Sequence, residues 1–328
     1  MLRKGLLFFL LLISVFALHA APIALQINAP ANYVVQASDT QWDLANKYLK
    51  NPWQWTSLWE APTASSTLPP IYVGDTLILT TDKNGAHLIV NHGKNLNSSS
   101  AAISPVPLKP LMGFLNKSSC MTPDEFGQLP YVVSLAKGLS AADQGDVVLA
   151  RGLLNPSLNQ HYWILHKKRL YIEPNDTNKI LGVEADYIAT ANLTKLGEPS
   201  NLQLTQVDQL VRIGDRLQTS QTTAPVLQFN LQAAGKLGKI VRAQIIANLI
   251  DYASINKYSI VALNYGAEEG AVPGQILLIT SDLSTKKPIG KQIGSLVIFR
   301  TFPQVSWAMV MQMSAQIQTL NGVQSPTN

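Results

Sequence analysis

The sequence predicts an α+β unit of strand–helix–helix–strand order near the N-terminus, then a mainly β region of one or two small sandwich- or barrel-like units. Three observations carry this. Residues 32–80 pass from β-type residues to helical spacing and back to a strand. A Ser-, Asn- and Pro-rich stretch, 91–110, follows and reads as a linker. From about 111 to 323, short apolar runs alternate with Gly, Asn, Asp and Pro turns, the texture of short strands. Of 328 residues, 46% are hydrophobic and 14% charged, which supplies a core and excludes a wholly disordered chain. The length allows two or three domains. A net charge of +5 is too small for a nucleic-acid binder, and Lys167-Lys168-Arg169 is the only K/R-rich run of note. With one cysteine, Cys120, neither an intramolecular disulfide nor a Cys-based zinc site can form.

Residues 1–20 read as an export signal. Arg3 and Lys4 precede an uncharged apolar run, 5–18, and small residues follow at Ala20 and Ala21. The expected cut is after Ala20. A transmembrane anchor is the alternative, but it needs about 20 apolar residues. The absence of a cysteine near the cut excludes a lipoprotein anchor. Two later apolar stretches, 240–263 and 296–313, are interrupted by Arg242, Asp251 and Lys257, and by Arg300 and Pro303. A charge in mid-membrane costs about 2.5–3.5 kcal/mol, so both read as soluble β structure.

In the first unit, Tyr33-Val34-Val35-Gln36 is β-prone. Ser38-Asp39-Thr40 offers three helix N-caps, of which Asp39 is expected to cap. Trp42, Leu44, Ala45, Tyr48 and Leu49 recur at helical spacing. Asn51-Pro52 restarts the chain, with Pro at a first helical position, and Trp55, Leu58 and Trp59 share a face. Val73-Gly74-Asp75 turns the chain into a strand, 76–80, and His87 to Val90 could extend the unit. Four of the six tryptophans lie between Trp42 and Trp59. A domain of about 50 residues is marginal, and aromatics that bury about 150–250 Å² each give it a core.

These residues, YVVQASDTQWDLANKYLKNPWQWTSLWEAPTASSTLPPIYVGDTLILT, resemble a LysM domain. The matching features are Tyr-Val-Val, Asp-Thr opening a helix, a Trp-rich second helix and Ile-Tyr-x-Gly-Asp-x-Leu-x-Leu. The resemblance covers about 50 residues, 32–80. It implies a βααβ fold and binding of N-acetylglucosamine-containing glycans, chiefly peptidoglycan and chitin. NPWxW and IYxGD are similar to segments of exported proteins of Gram-negative bacteria, which implies a periplasmic location. Ser38 stands where the family has Gly, and Ala61 where it has Asn. The family's groove lies between the strand–helix loop and the helix–strand loop. Carried onto this sequence, it is lined by Ser38, Asp39, Thr40 and Gln41 on one side and Ala64, Ser65, Ile71 and Tyr72 on the other. An acetamido group needs N–H and C=O partners and an apolar floor, which Ile71 is expected to supply.

A turn-then-strand motif recurs: Val73-Gly74-Asp75, Gln144-Gly145-Asp146, Ile213-Gly214-Asp215 and Pro273-Gly274-Gln275 each precede a strand. The reading is ordinary turn chemistry, with Gly at positive φ. Longer pieces are also alike: Leu181-Gly182 with Ser200–Asp215, and Ile293-Gly294 with Ser306–Asn321. Two related β units with a boundary near 219–225 would account for this. The tail, with GAEEGAVPG and FRTFPQVSWAMV, resembles the C-terminal region of LysM-containing proteins of Gram-negative bacteria, to which no activity is attached.

No catalytic constellation emerges. The pairs His87/His92 and His161/His166 are each five apart, which suits neither one face of a helix nor one face of a strand. Cys120, in Lys117-Ser118-Ser119-Cys120-Met121, lacks the texture of a cysteine peptidase and reads as a small buried residue. The acidic pairs Asp124-Glu125 and Glu268-Glu269 are adjacent rather than set across a cleft. Neither a Gly-x-Ser-x-Gly elbow nor a Walker loop is present. The expectation is a non-enzymatic peptidoglycan-binding protein that needs no cofactor or metal, its C-terminal region contacting another envelope protein. The alternatives are an envelope assembly protein that uses the same fold for protein contact, and a cell-wall hydrolase with an unrecognised site. N-terminal sequencing of the mature protein should start at Ala21. A chain that begins at Met1 and resists alkaline extraction from membranes would instead be anchored.

Overall fold

The computed structural model describes residues 23–59, 70–82, 85–92, 102–135, 138–220, 231–233, 242–250, 253–281 and 290–326. The expected export signal and the 221–225 part of the expected boundary lie outside them, as do 60–69 and 93–101. Among the described residues no helix is long and apolar enough to cross a membrane.

Helix α1 (Gln41–Tyr48) buries Trp42, Leu44, Ala45 and Tyr48 completely, as their spacing requires. Its cap is Thr40, not Asp39. Thr40 Oγ1 accepts the Asp43 N–H at 3.1 Å, and the Asp43 carboxylate accepts the Thr40 N–H at 3.2 Å. This reciprocal box is open only to the residue three before Asp43. Asp39 is occupied elsewhere: it accepts the Gln36 N–H at 2.8 Å and the Tyr33 hydroxyl at 3.0 Å. The second helical segment, Pro52–Ser57, is a 3₁₀ helix, and Asn51 makes no side-chain cap. Three residues per turn place Trp55 and Leu58 above one another, and both are fully buried. The Trp55 and Trp59 rings meet edge-on, with centroids 4.7 Å apart. The stretch containing His87 to Val90 extends the unit as a third strand: β1 (Asn32–Val34), β2 (Thr76–Asp82) and β3 (Gly85–Asn91) run antiparallel in that order. Leu88 on β3 is buried, and its N–H donates to Leu58 C=O at 2.6 Å.

The expected linker, 91–110, is docked over its described part. Ile103 and Val106 are buried in the same core as Trp42 and Leu77. The composition of 91–110 is polar overall, but these apolar side chains are spaced to reach one surface. The chain then forms α2 (Met112–Asn116), β4 (Ser118–Met121) and α3 (Pro123–Gln128).

Two seven-stranded sheets follow. The first contains β4 with β5 (Tyr131–Ser134), β6 (Val147–Arg151), β7 (His161–Glu173), β8 (Asp176–Lys195), β9 (Ser200–Val207) and β10 (Arg216–Thr219). The order β8-β7-β10-β5-β6-β9 closes because β9 also pairs with β8, and β4 is added outside β8. The second contains β11 (Gln232–Ala233), β12 (Arg242–Asn248), β13 (Ile260–Leu263), β14 (Gln275–Thr280), β15 (Gln292–Thr301), β16 (Ser306–Met313) and β17 (Gly322–Gln324). Here β14-β15-β16-β13-β12-β17 closes through β17 back to β14, and β11 pairs parallel to β14. The rings share one pairing scheme: β5 to β10 correspond in order to β12 to β17. Closure removes the unpaired edges that an open sheet would expose.

The recurring turn sits at equivalent points of both rings. Its first N–H donates to the side chain of the fourth residue, and its third residue has positive φ. In the first ring the fourth residues are Asp146, Gln160 and Asp215, opening β6, β7 and β10. In the second they are Ser259, Gln275 and Asn321, opening β13, β14 and β17. Asp75 does the same before β2, at 2.8 Å from the Tyr72 N. The third residue is Gly74, Gly145, Gly214 or Gly274 in four of these turns and Asn159, Tyr258 or Leu320 in the others. Gly182 on β8 and Gly294 on β15 also correspond. A Cβ at Gly182 would lie 2.6 Å from Cys120 Sγ, and one at Gly294 would lie 2.5 Å from Gln312 O.

Each ring has its own apolar interior, around Val148, Ile164 and Leu202 in the first and Ile245, Leu277 and Val310 in the second. A further core joins the N-terminal unit to the outer face of the second ring, where Trp42, Trp55 and Leu111 cluster with Phe302, Trp307 and Met309. The two rings meet over a buried charged network. Glu184 on β8 is fully buried. Its carboxylate lies 2.8 Å from Arg169 Nε and 3.2 Å from Lys168 Nζ, and it accepts the Tyr171 hydroxyl at 2.6 Å. From that cluster, Arg169 donates to Asn248 C=O at 2.8 Å and Lys168 to Leu249 C=O at 3.3 Å, both in the second ring's chain segment. Trp307 Nε1–H donates to the Tyr171 oxygen at 3.2 Å. Removing one partner of a buried pair leaves the others uncompensated. Glu184→Ala should therefore lower the urea unfolding free energy by about 3 kcal/mol, the low end for such sites because both cations keep some access to water. A loss below about 1 kcal/mol would mean the rings are held by apolar contact alone.

Candidate functional site

The expected groove lies where the turn after β1 faces the entry to β2. Ser38 is exposed in a turn, Asp39 is half-buried and held by Tyr33 and Gln36, and Thr40 and Gln41 are buried at the start of α1. On the other side Ile71 is buried and Tyr72 half-buried, and Ala64 and Ser65 lie outside the described residues. Gly74 has φ +91°, which lets Asp75 turn back to hold the Tyr72 N–H and fixes the second wall. His92 Nδ1 lies 3.0 Å from the same Asp75 carboxylate, and its ring meets Tyr72 edge-on at 6.0 Å.

A segment of the chain itself runs between the two walls. The first N–H groups of α1, those of Gln41 and Trp42, donate to Ser104 C=O at 3.0 Å and Pro105 C=O at 3.1 Å. On the opposite wall the Ile103 N–H donates to Ile71 C=O at 2.8 Å, and Tyr72 bridges Ala102 antiparallel. These α1 N–H groups have no partner within the helix, so an outside acceptor must satisfy them. Here the acceptors are the carbonyls of 104 and 105. Ile71 thus shares a buried core with Ile103 and Val106 rather than forming an open floor. Sequence reasoning missed this segment because Ser-Pro-Val-Pro reads as a spacer. The signal that could have found it is the three-residue spacing of Ile103 and Val106.

A second concavity, with a volume of about 500 Å³, opens between α1 and the second ring. Its walls include Asp43 and Asn46 on α1, Lys257, and Gln292, Met311 and Gln312 on the ring. Gln312 Nε2 donates to Asn46 Oδ1 across it.

The candidates for chemistry elsewhere are engaged in structure. His166 Nδ1 lies 2.7 Å from Asp215 Oδ1, so the turn aspartates Asp75 and Asp215 each hold a histidine. Among the described residues no group of three or more His, Cys, Asp or Glu side chains is arranged to hold a metal ion. Glu125 serves as the reciprocal cap of α3 with Thr122, and Glu269 accepts the Gly266 N–H at 2.8 Å. Cys120 is buried, and burial pushes its thiol up to about 12.

Residues 33–80 match the LysM domain family, and a LysM domain is present at those residues. LysM domains generally bind peptidoglycan and other N-acetylglucosamine-containing glycans. The rest of the described chain is mainly β and contains a closed six-stranded barrel. No curated protein matches the chain.

The thiolate is the reactive form of cysteine. Because the raised value keeps Cys120 protonated up to pH 9, a thiol reagent should fail to label the native protein there and should label it fully in urea. Rapid labelling at pH 8 without denaturant would show that Cys120 is accessible and reopen it as a nucleophile.

Proposed function

We propose that the chain is a non-catalytic, peptidoglycan-binding protein of the bacterial cell envelope, exported to the periplasm after loss of residues 1–20. The observation that carries the reading is the LysM domain at 33–80. The domain holds glycan strands through the walls at Ser38–Gln41 and Ile71–Tyr72, with Ala64 and Ser65 of the intervening sequence as further contacts, and the barrels contact another envelope component. Support for a binding rather than a catalytic role comes from the engagement of the titratable candidates: Cys120 is buried, and His92 and His166 are paired to turn aspartates.

A second reading has an observation of its own. In an envelope scaffold the LysM fold would serve as a packing module. Its helix N-terminus is bonded to residues 104 and 105, and its core is continuous with the second ring.

Affinity for a short glycan has a low ceiling. A disaccharide of about 28 heavy atoms at roughly 0.3 kcal/mol each reaches about −8 kcal/mol, near micromolar, and a shallow groove falls short of that. Retention on a wall would then rest on the density of sites. The full-length mature protein should sediment with purified sacculi. Tyr72→Ala, which removes a half-buried wall side chain, should lower retention about tenfold while circular dichroism is unchanged, corresponding to about 1.4 kcal/mol. Full retention of that variant would move the glycan site elsewhere. Wild-type protein left in the supernatant at high sacculus excess would favour the scaffold reading, and clearing of the sacculus suspension would show a hydrolase.

A further inference from the structure

We propose that residues 102–106 are an intramolecular occupant of the LysM groove and that an N-acetylated glycan binds by displacing them. The inference rests on the glycan-binding reading above and adds what stands in the groove before the ligand arrives.

The argument is one of matching chemistry. A secondary acetamido group offers one C=O acceptor and one N–H donor, with a methyl group beside them. The segment presents the same set along a backbone. Ser104 C=O and Pro105 C=O accept from the Gln41 and Trp42 N–H groups, and the Ile103 N–H donates to Ile71 C=O. The apolar part is the Ile103 side chain, 8% exposed, packed in one core with Ile71. Each wall group that a sugar amide would use is thus already paired with a peptide amide of like polarity. The groove cannot offer those groups twice. Groove residues that accept a ligand must exchange one set of hydrogen bonds for the other, so any glycan affinity is lowered by the segment's own affinity for the groove. The Pro105-Val106-Pro107 sequence suits this role. Proline at 105 and 107 fixes φ and leaves the segment with fewer N–H groups of its own to satisfy. Residue 105 therefore accepts at the helix without leaving a donor stranded.

The proposal assigns opposite fates to named amides. Hydrogen exchange followed residue by residue on the full-length mature protein, titrated with chitopentaose, should show Ile103 losing protection as the sugar saturates. The Gln41 and Trp42 amides should stay protected, because their acceptor changes from peptide to sugar. In parallel, Ile103→Asp puts a charge where the segment is buried, and it should raise retention on sacculi at least tenfold over wild type. Saturable sugar binding with Ile103 protection unchanged overturns the displacement while leaving the glycan reading intact. Equal retention of wild type and a folded Ile103→Asp variant does the same. Failure of both proteins to bind either chitopentaose or sacculi overturns the glycan reading, and the displacement with it. Should Ile103→Asp lose its native circular dichroism, the exchange experiment on wild type decides alone.

Discussion

Glu184 is a carboxylate without water, and the arrangement of the two rings follows from how it is satisfied. A charge so buried is tolerable only with partners in good geometry. Arg169 Nε and the Tyr171 hydroxyl both meet Oε2, and Lys168 Nζ stands 3.2 Å from Oε1 as a counter-charge. All four residues lie on β7 and β8, the longest hairpin among the described residues. Arg169 and Lys168 also donate to the carbonyls of Asn248 and Leu249, Lys168 lies 3.4 Å from the Asp186 carboxylate, and Tyr171 receives the Trp307 indole N–H. The first ring therefore cannot turn against the second without leaving polar groups unpaired in a low-dielectric interior. Trp307 in turn belongs to the core that the second ring shares with the LysM domain. One buried charge thus anchors a chain of contacts that ends at the N-terminal unit.

The rings themselves show how little sequence identity a closed sheet needs. What recurs is the turn: a first residue whose N–H is held by the fourth side chain, and a third residue at positive φ. Asp, Asn, Gln and Ser all serve as the fourth residue, since each supplies an acceptor at short reach. Sequence reading found the four turns that carry glycine and missed those with Asn159, Tyr258 and Leu320, because a non-glycine third residue leaves no mark. The likeness of Leu181-Gly182 to Ile293-Gly294 was legible for a physical reason. Both glycines lie where a neighbour approaches too closely for a Cβ.

In the LysM domain the tryptophan face and α1 were legible because burial of large aromatics repeats at helical period. The cap was not, since Ser38, Asp39 and Thr40 are all good acceptors and only the position of Asp43 selects among them. The 3₁₀ form of Pro52–Ser57 was hidden because a six-residue segment is too short for its period to be read. At the candidate site the walls are an expectation from the family pattern, and the segment lying between them was not part of it. Half of the docking rests on backbone carbonyls, which residue type does not encode, and the apolar half, Ile103 and Val106, is masked by the polar composition around it.

The continuous core between the LysM domain and the second ring changes what attachment to a surface means. A module on a flexible tether leaves its cargo free to sample a volume. Here Trp42 and Trp55 share a cluster with Trp307 and Met309, and the Asn46–Gln312 hydrogen bond adds a polar tie. Whatever grips the N-terminal unit also sets the compass bearing of both barrels. A layer of such molecules on one wall would present the same barrel face outward at one height, and a sideways load on the barrels would be felt at the grip.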